Sequence, residues 1–267
     1  MRMMCFVYCA QELCEWIAPQ LPKERTLTVE KKLLATIWMI SNKDSYRDVA
    51  DRFAINKGTL HQVVMMVCTA LTGLHNDVIK WPGHWQLPAL AEQFGERCGF
   101  PGVVGATDGT YINILGPSDD RDAYINRKGR PSIQLQAVCT KSLLFIDVCA
   151  GWPGSVHDSR VFFNSPLRRK LQNGVLPPQY HLLGDSAYQL QGYLMVPFRD
   201  NGHLTVLEKK YNMAQSSTRV EIERAFGLLK GKFRRLKELE MTKVQDIPAV
   251  IFAACVLHNF INFEQWH

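Results

Sequence analysis

Three acidic residues stand out because each lies where a carboxylate could do chemistry. Asp108 ends the run Val-Val-Gly-Ala-Thr-Asp and Asp185 ends Leu-Leu-Gly-Asp, so each aspartate closes an apolar, strand-like segment. A carboxylate at the end of a central strand projects from the sheet edge, where ligands tend to bind. The third residue, Glu223, lies on a long predicted helix. Its stripe on that helix also holds a glycine and three cations, namely Gly227, Arg219, Lys230 and Arg234.

Carboxylates of this kind suit metal-assisted cleavage of phosphodiester bonds. Mg²⁺ and Mn²⁺ prefer carboxylate oxygens, and two such ions about 4 Å apart can assist an in-line displacement. The cations beside Glu223 could hold an anionic backbone. Glu221 lies away from the stripe, so Glu223 is the preferred glutamate. A simpler interpretation stays open here, because strand-end aspartates often cap turns and helical glutamates often form only i,i+4 ion pairs.

The elements that must position these carboxylates form a helical front and a mixed body. Helical periodicity covers residues 3–75, with Thr28 opening one helix and Ser45 and Asp48 forming a start that resembles a capping box. From residue 102 the pattern changes to period two, which predicts strands followed by alternating helices and strands. We therefore predict a helical region over 1–76, a linker with one short helix over 77–101, and an α/β domain over 102–267.

The predicted elements of the α/β domain can be given in order. Strands are expected at 103–115, 132–140 and 143–150, the last two forming an antiparallel hairpin. A helix from Asp158, short strands at 182–185 and 194–198, a long helix over 217–240 and an apolar helix over 247–263 follow.

Residues 45–70 have the pattern of a helix-turn-helix. The second helix would expose side chains able to reach base edges or phosphates, namely Lys57, Thr59, His61 and Gln62. The alternative is that two short helices simply pack in a bundle. The pattern therefore supports the local fold more strongly than DNA recognition.

Two further segments carry charge that could serve a site. The loop from Tyr124 ends in a basic run whose cations, Arg127, Lys128 and Arg130, could hold phosphates. His157 and Asp158 could support a metal site from outside its direct ligands. The favoured interpretation of this pair is a cap for the following helix, with Ser155 or Asp158 accepting backbone N–H bonds.

Composition limits the class of protein. The chain of 267 residues has a net charge of +6 and a pI near 8.9, which permits nucleic acid as a partner without requiring it. No apolar run approaches the ~20 residues of a bilayer span, so no membrane partner is expected. The eight cysteines lack the spacing of a zinc site and are interpreted as reduced thiols.

Ordered motifs between Pro101 and Phe260 resemble the PIF/Harbinger-type transposases and the domesticated nucleases derived from them. The matching segments are FPGVVGATDGTYI, YINRKG, GWPGSVHDSRVF, LLGDSAYQL, YNMAQSSTRVEIERAFGLLKGKFRRL and CVLHNF. The resemblance implies a ribonuclease-H-like fold, with Asp108, Asp185 and Glu223 as catalytic residues that bind Mg²⁺ or Mn²⁺. It also implies DNA as substrate and a separate Myb-like DNA-binding partner protein. The basic cluster from Lys230 to Lys237 could serve as a nuclear import signal, so a location in the nucleus, with the cytoplasm as a second compartment, is expected. One departure is Tyr111, where the family often has His.

Three functions follow as hypotheses of different classes. The first is a metal-dependent DNA endonuclease. The second is a domesticated protein that binds DNA and a partner while cleavage is unused. The third, a phosphohydrolase of small phosphates, is disfavoured by the helical front and by the basic helix. The target sequence and the oligomeric state stay open.

Overall fold

The computed structural model describes residues 11–22, 27–98, 100–241 and 243–263. The chain divides into two compact units, each discontinuous in sequence. The helical unit comprises residues 1–79, 112–119 and 228–267, and the sheet unit comprises residues 80–111 and 120–227. The C-terminal segment thus belongs with the helical front, whereas the sequence pattern places it in the α/β domain. The predicted helical periodicity of residues 3–10 lies outside the described residues.

The helices and strands have the following bounds. Across the described residues, the α-helices are α1 (11–17), α2 (Val29–Ser41), α3 (Tyr46–Phe53), α4 (Lys57–Gly73), α5 (His75–Val78), α6 (Leu87–Cys98), α7 (Asp158–Asn164), α8 (Pro166–Gln172), α9 (Val206–Lys232) and α10 (Ile247–Phe263). The strands in the same part of the chain are β1 (Val103–Ile114), β2 (Ser132–Cys139), β3 (Phe145–Pro153), β4 (His181–Leu183), β5 (Leu194–Met195) and β6 (Glu238–Leu239).

The helical unit is built around α4, which packs against both α2 and α10. Its helix starts follow the predicted signals. The Thr28 side chain accepts a bond from the Lys31 N–H, and Ser45 and Asp48 form a reciprocal capping box. Each cap satisfies backbone donors that a helix N-terminus leaves unpaired.

The predicted helix-turn-helix is present as α3, a turn over residues 54–56, and α4. Ala54 turns the chain in the left-handed region at φ 47°, and the Asn56 side chain then caps α4 by accepting from the Gly58 N–H. Val49 and Leu60 are fully buried, so the two helices share an apolar core. The two helices joined by a short turn, as predicted from the sequence, are therefore present.

The last helix, α10, is strongly apolar along its length. Val244–Asn262 is long and apolar enough to cross a membrane by length and composition, and 61% of that window is buried inside the protein. Burial of this kind is typical of a core helix, since a helix that is apolar on all sides is buried in the protein.

The described cysteines are free, and Cys68, Cys139 and Cys255 are buried.

The sheet has six strands in the order β3-β2-β1-β4-β5, with β6 pairing with the end of β1. Strands β2 and β3 form the predicted antiparallel hairpin, while β4 runs parallel to both β1 and β5. Consecutive residues of a strand point to opposite faces. Val104 packs with α7 and α8, whereas Val103 packs with Phe94 of α6. Helices therefore cover both faces of the sheet, in the ribonuclease-H-like α/β class that the sequence predicts.

Two predicted boundaries differ from the structure. The region 77–101 contains α6, whose Leu87 and Phe94 are buried in the core of the sheet unit, so most of it is packed structure. The long helix predicted over 217–240 is wrong at both ends. It begins at Val206, ends at Lys232, and is followed by a separate 3-10 turn at Arg234–Lys237.

Candidate active site

Strand register places Asp108 beside Asp185. Ala106 of β1 pairs in parallel with Leu183 of β4, and each aspartate lies two residues beyond that pair. Strand β1 runs to Ile114, in agreement with the strand predicted over 103–115, so Asp108 lies within the strand although its apolar run ends there. Strand β4 ends at Leu183, so the parallel pairing with β1 stops just before the two aspartates. This is the edge at which ligands bind in α/β sheets.

Local hydrogen bonds fix both aspartates. Oδ1 of Asp108 accepts from the Gly109 N–H at 2.8 Å. Oδ1 of Asp185 accepts from the Ala187 N–H at 3.0 Å, which closes a turn after β4. Each aspartate thus uses one oxygen to hold its own backbone.

Arg219 of α9 connects Asp108 to Glu223. One guanidinium nitrogen lies 2.6 Å from Oδ2 of Asp108, and the other lies 2.8 Å from Oε1 of Glu223. The Arg219 side chain is 16% exposed, whereas the Glu223 side chain is 54% exposed and faces solvent. The structure therefore brings the third predicted carboxylate to the same cluster through a bridging cation.

Glu221, the glutamate rejected on sequence grounds, has a different environment. It is buried and forms ion pairs with Lys141 at 2.6 Å and with Arg224 at 2.8 Å. A buried carboxylate held by two cations serves packing. Glu223 is thus the glutamate of α9 that the structure places near Asp108.

The site is crowded with negative charge. The pKa of Asp108 is raised to about 6, chiefly by burial and also by the carboxylates of Asp185 and Asp158, against the lowering effects of Arg219 and the Gly109 N–H. Burial and Asp185 likewise raise the pKa of Asp158. Burial and these same three carboxylates hold the pKa of Tyr188 well above its ordinary range. Mutual effects of this kind require the three aspartates to be close neighbours.

The expected helix cap at Asp158 is wrong. His157 is the N-cap residue of α7, and its side chain makes no capping bond. Oδ1 of Asp158 accepts from Nε2 of Gln134 at 3.0 Å, and the Ser155 hydroxyl donates to the Ala123 carbonyl. The Asp158 carboxylate is turned toward the sheet, because a glutamine of β2 holds it there.

Comparison with known proteins places the chain in a family. A family model described as "DDE superfamily endonuclease" matches residues 107–259, which include Asp108, Asp185 and Glu223. A Homo sapiens protein named "Putative nuclease HARBI1" is 30% identical over 243 residues, covering 89% of this chain and 68% of the human protein. The chain belongs to the DDE superfamily endonucleases.

A plant protein is also similar to the chain. An Arabidopsis thaliana protein named "Protein ALP1-like" is 25% identical over 251 residues, covering 88% of this chain and 61% of the plant protein. No solved structure matches the chain. The Harbinger-type resemblance predicted from the motifs is confirmed.

Among the three cations of the basic loop, Arg127 has contacts with residues of the site of this DDE endonuclease. Its guanidinium is 6.0 Å from the centre of the Tyr111 ring, and its charge lowers the pKa of Asp158. Buried Asn126 holds the loop, because its side-chain oxygen accepts from the backbone N–H groups of Lys128 and Arg130. The side chains of Arg127, Lys128 and Arg130 are exposed.

The remaining predicted DNA contacts lie elsewhere or are already paired. The helix-turn-helix residues belong to the helical unit, where Lys57, His61 and Gln62 are exposed, Thr59 is half-buried, and His61 packs against the Tyr46 ring. Lys230 and Arg234 also belong to the helical unit. Arg219 is engaged by two carboxylates. DNA binding by these residues stays a prediction.

Sequence analysis missed three polar residues that surround the carboxylates. Gln134 and Gln136 lie on β2 with their side chains buried, and Nε2 of Gln136 lies 3.0 Å from the Tyr188 hydroxyl. A signal was present, since two glutamines alternate within an otherwise apolar strand. A buried polar side chain needs a partner, and its partners here belong to the site.

The donor set has the chemistry of a site for a hard divalent cation. Carboxylate oxygens from Asp108, Asp158 and Asp185 are close, and the buried side-chain oxygens of Thr107, Gln134 and Gln136 have no hydrogen-bond partner in the described part of the chain. Within that part, no group of three or more His, Cys, Asp or Glu side chains lies together in an arrangement that could hold a metal ion. Arg219 supplies the neighbouring positive charge instead.

Proposed function

We propose that this chain is a divalent-metal-dependent DNA endonuclease that cleaves phosphodiester bonds with an Asp-Asp-Glu site. The observation that carries the proposal is the register between β1 and β4, which sets Asp108 beside Asp185 at the end of the parallel pairing. Family membership supports nucleic acid as the substrate.

The residues that would hold Mg²⁺ or Mn²⁺ are Asp108, Asp185 and Glu223. A divalent ion bound there supplies Lewis-acid activation of water and stabilises the leaving oxygen. Carboxylates are the ligands such ions prefer. Arg219 links Asp108 to Glu223, so the guanidinium keeps two of the three carboxylates in one place.

Binding of the anionic backbone would fall to exposed cations near this cluster. Arg127 is the best placed, because it lies beside the carboxylates and over the Tyr111 ring. Such a contact positions a phosphate without reading sequence. Exposed Lys57, His61 and Gln62 of the helix-turn-helix would add affinity in the same way. DNA as substrate also leads us to propose nuclear action.

Nicking of a supercoiled plasmid tests the proposal. Purified protein with Mn²⁺ or Mg²⁺ is expected to nick the plasmid, and EDTA is expected to stop the reaction. Asp185→Asn removes a metal ligand and should slow nicking at least about a hundredfold. Asp200→Asn is the matched control, because exposed Asp200 only accepts from the Gly202 N–H in a loop.

Two results would contradict the proposal. Nicking that persists in EDTA, or an Asp185→Asn variant as fast as wild type, would remove Asp185 from the chemistry. Absence of nicking even with an added Myb-like DNA-binding partner, together with retained DNA binding, would favour the domesticated binding protein.

A further inference from the structure

Tyr188 has a ring that belongs to the core and a hydroxyl that reaches the active site. The residue is 4% exposed and packs in the apolar cluster of the sheet unit. Its ring meets the edge of the Phe162 ring with 5.5 Å between the centroids. A Cβ at Gly184 would lie 3.0 Å from Cδ2 of Tyr188, so the glycine leaves room for the ring beside the end of β4. Packing therefore fixes the position of the ring and, through it, the position of the hydroxyl.

The turn after β4 ties Tyr188 to Asp185. The Tyr188 N–H donates to the main-chain carbonyl of Asp185 at 3.3 Å, and the Ala187 N–H donates to Oδ1 of Asp185 at 3.0 Å. One closed turn thus carries a candidate metal ligand at its start and the buried phenol at its end. Displacement of the Tyr188 ring would therefore also displace Asp185.

Gln136 determines how the Tyr188 hydroxyl forms hydrogen bonds. Nε2 of Gln136 lies 3.0 Å from the hydroxyl oxygen and 3.4 Å from the main-chain carbonyl of Asp158. A carbonyl can only accept, so the nitrogen end of the amide must face it. The same nitrogen donates to the Tyr188 oxygen, and the phenol proton is therefore directed to another acceptor.

The charged groups around this proton are carboxylates. Burial, followed by the carboxylates of Asp158, Asp108 and Asp185, holds the pKa of Tyr188 well above its ordinary range, while the Gln136 bond lowers it. The hydroxyl is therefore a neutral donor among negative charges. A core that needed only the ring would be served better by Phe, because burying a hydroxyl costs free energy.

A water that bridges the hydroxyl to the carboxylates has partners at this place. Oε1 of Gln136 is buried without a hydrogen-bond partner among the described residues, as is Oε1 of Gln134. Both glutamines lie on β2, and each is bonded through Nε2 to Asp158. A buried water needs two to four polar partners, and here the phenol would donate to it while the amide oxygens and carboxylates accept from it.

We propose that Tyr188 is a positioning residue of the active site, whose hydroxyl donates through a bridging water to the Asp108 and Asp185 carboxylates and so orients them for the divalent cation. The inference rests on the proposed nuclease function and deepens it. Tyr188 acts through the aspartates, because its side chain is too deeply buried to touch DNA. Gln136 in turn holds the hydroxyl in the orientation that this role requires.

Tyr188→Phe keeps the packed ring and removes only the hydroxyl. Calorimetric titration of the full chain with Mn²⁺ should show binding weakened about tenfold, the usual scale for a group that orients a metal ligand. In plasmid nicking at a fixed Mn²⁺ concentration below saturation, kcat should fall while KM for DNA stays within about twofold of wild type. Tyr180→Phe is the matched control, because Tyr180 packs on the same core cluster and precedes β4, at the opposite end from Asp185.

A second variant releases the hydroxyl without changing Tyr188. Gln136→Met removes the donor that orients the phenol and should weaken Mn²⁺ binding in the same direction. The double variant with Tyr188→Phe should bind Mn²⁺ no more weakly than the weaker single variant, because both act through one hydroxyl. An unchanged slope m in urea unfolding shows that a variant is folded as wild type is, and Gln136→Met still tests the hydroxyl if Tyr188→Phe does not fold.

The outcomes separate the role of Tyr188 from the proposed function. If wild type binds Mn²⁺ and nicks DNA while Tyr188→Phe binds Mn²⁺ within about twofold of wild type, the ring serves the core alone and the role of the hydroxyl is overturned. A raised KM for DNA with unchanged kcat would also overturn it. Effects that multiply in the double variant would overturn the part assigned to Gln136. If wild type neither binds Mn²⁺ nor nicks DNA, both proposals are overturned together.

Discussion

Folding buries the Asp108 carboxylate beside two other carboxylates, which disfavours its charged form. Its side chain is 18% exposed, and Asp185 and Asp158 lie close to it. The Arg219 ion pair and the Gly109 N–H bond offset only part of that cost, because the pKa still lies near 6. The divalent cation that we propose for this site would be attracted by these carboxylates.

This raised pKa predicts a pH-dependent stability. The folded state holds the Asp108 proton more tightly than the unfolded chain, where the pKa is near 3.8. The raised pKa of Asp108 therefore contributes its full stabilisation of the folded state below pH 4, and this stabilisation is lost as the pH rises through 6. In EDTA, wild type should lose about 1–3 kcal/mol more unfolding free energy than Asp108→Asn between pH 4 and pH 7. Urea unfolding at both pH values measures the difference, and parallel pH dependences would contradict it.

Much of this residue-level arrangement could be predicted from sequence, and some could not. Asp108, Asp185 and Glu223 were predicted from apolar runs and helical stripes, which are local patterns. The position of the Asp158 carboxylate beside Gly109 was not predicted, because its contacts with Gln134 and Gly109 span 24 and 49 residues and depend on how the strands pair. Local sequence patterns cannot show contacts between residues that lie so far apart along the chain. Asp158 was therefore assigned to a helix cap, the commoner local use of Asp at a helix start.

At the scale of elements, the sequence carries a capping signal at the true start of α9, eleven positions before the predicted start at 217. Thr205 and Glu208 form a reciprocal capping pair, since the Thr205 N–H donates to Glu208 and the Glu208 N–H donates to the Thr205 hydroxyl. The Thr-x-x-Glu pattern marks this start in the sequence. It was overlooked because the first turns carry exposed apolar side chains, such as Val206 and Met213, outside a clear stripe. At the other end, the helix stops at Lys232, and the 3-10 turn Arg234–Lys237 follows.

The contacts of that 3-10 turn predict that the neighbouring residues Arg234 and Arg235 contribute very differently to the free energy of unfolding. Arg235 donates to the Met39 carbonyl at 2.6 Å and to the Asp44 carbonyl, which ties the turn to the end of α2. Arg235→Leu leaves both acceptors without this donor and should cost about 2–4 kcal/mol of unfolding free energy. Arg234→Leu, at an exposed position, should leave the urea midpoint unchanged. Equal effects of the two substitutions would show that the Arg235 bonds do not stabilise the helical unit.

At the scale of the whole molecule, the site exists only when distant elements fold together. Asp108 comes from β1, Asp185 from the turn after β4 and Glu223 from α9, at separations of 77 and 38 positions along the chain. Both β1 and α9 also continue into the helical unit, because the divisions at 111/112 and 227/228 fall inside these elements. The chain therefore passes from one unit to the other inside both elements. Experiments should use the full chain, because cutting out either unit would break a strand and a helix.

The central claim is that these carboxylates act as one catalytic site, and a double-mutant comparison tests it most directly. The rate of Mn²⁺-dependent plasmid nicking is measured for wild type, Asp185→Asn, Glu223→Gln and the double variant, with Glu208→Gln as the control on α9. Residues that act as a unit are strongly non-additive. We expect each single substitution to abolish nearly all nicking and the double variant to be no slower than either. Independent losses that multiply in the double variant, or a Glu223→Gln variant as fast as Glu208→Gln, would contradict the account.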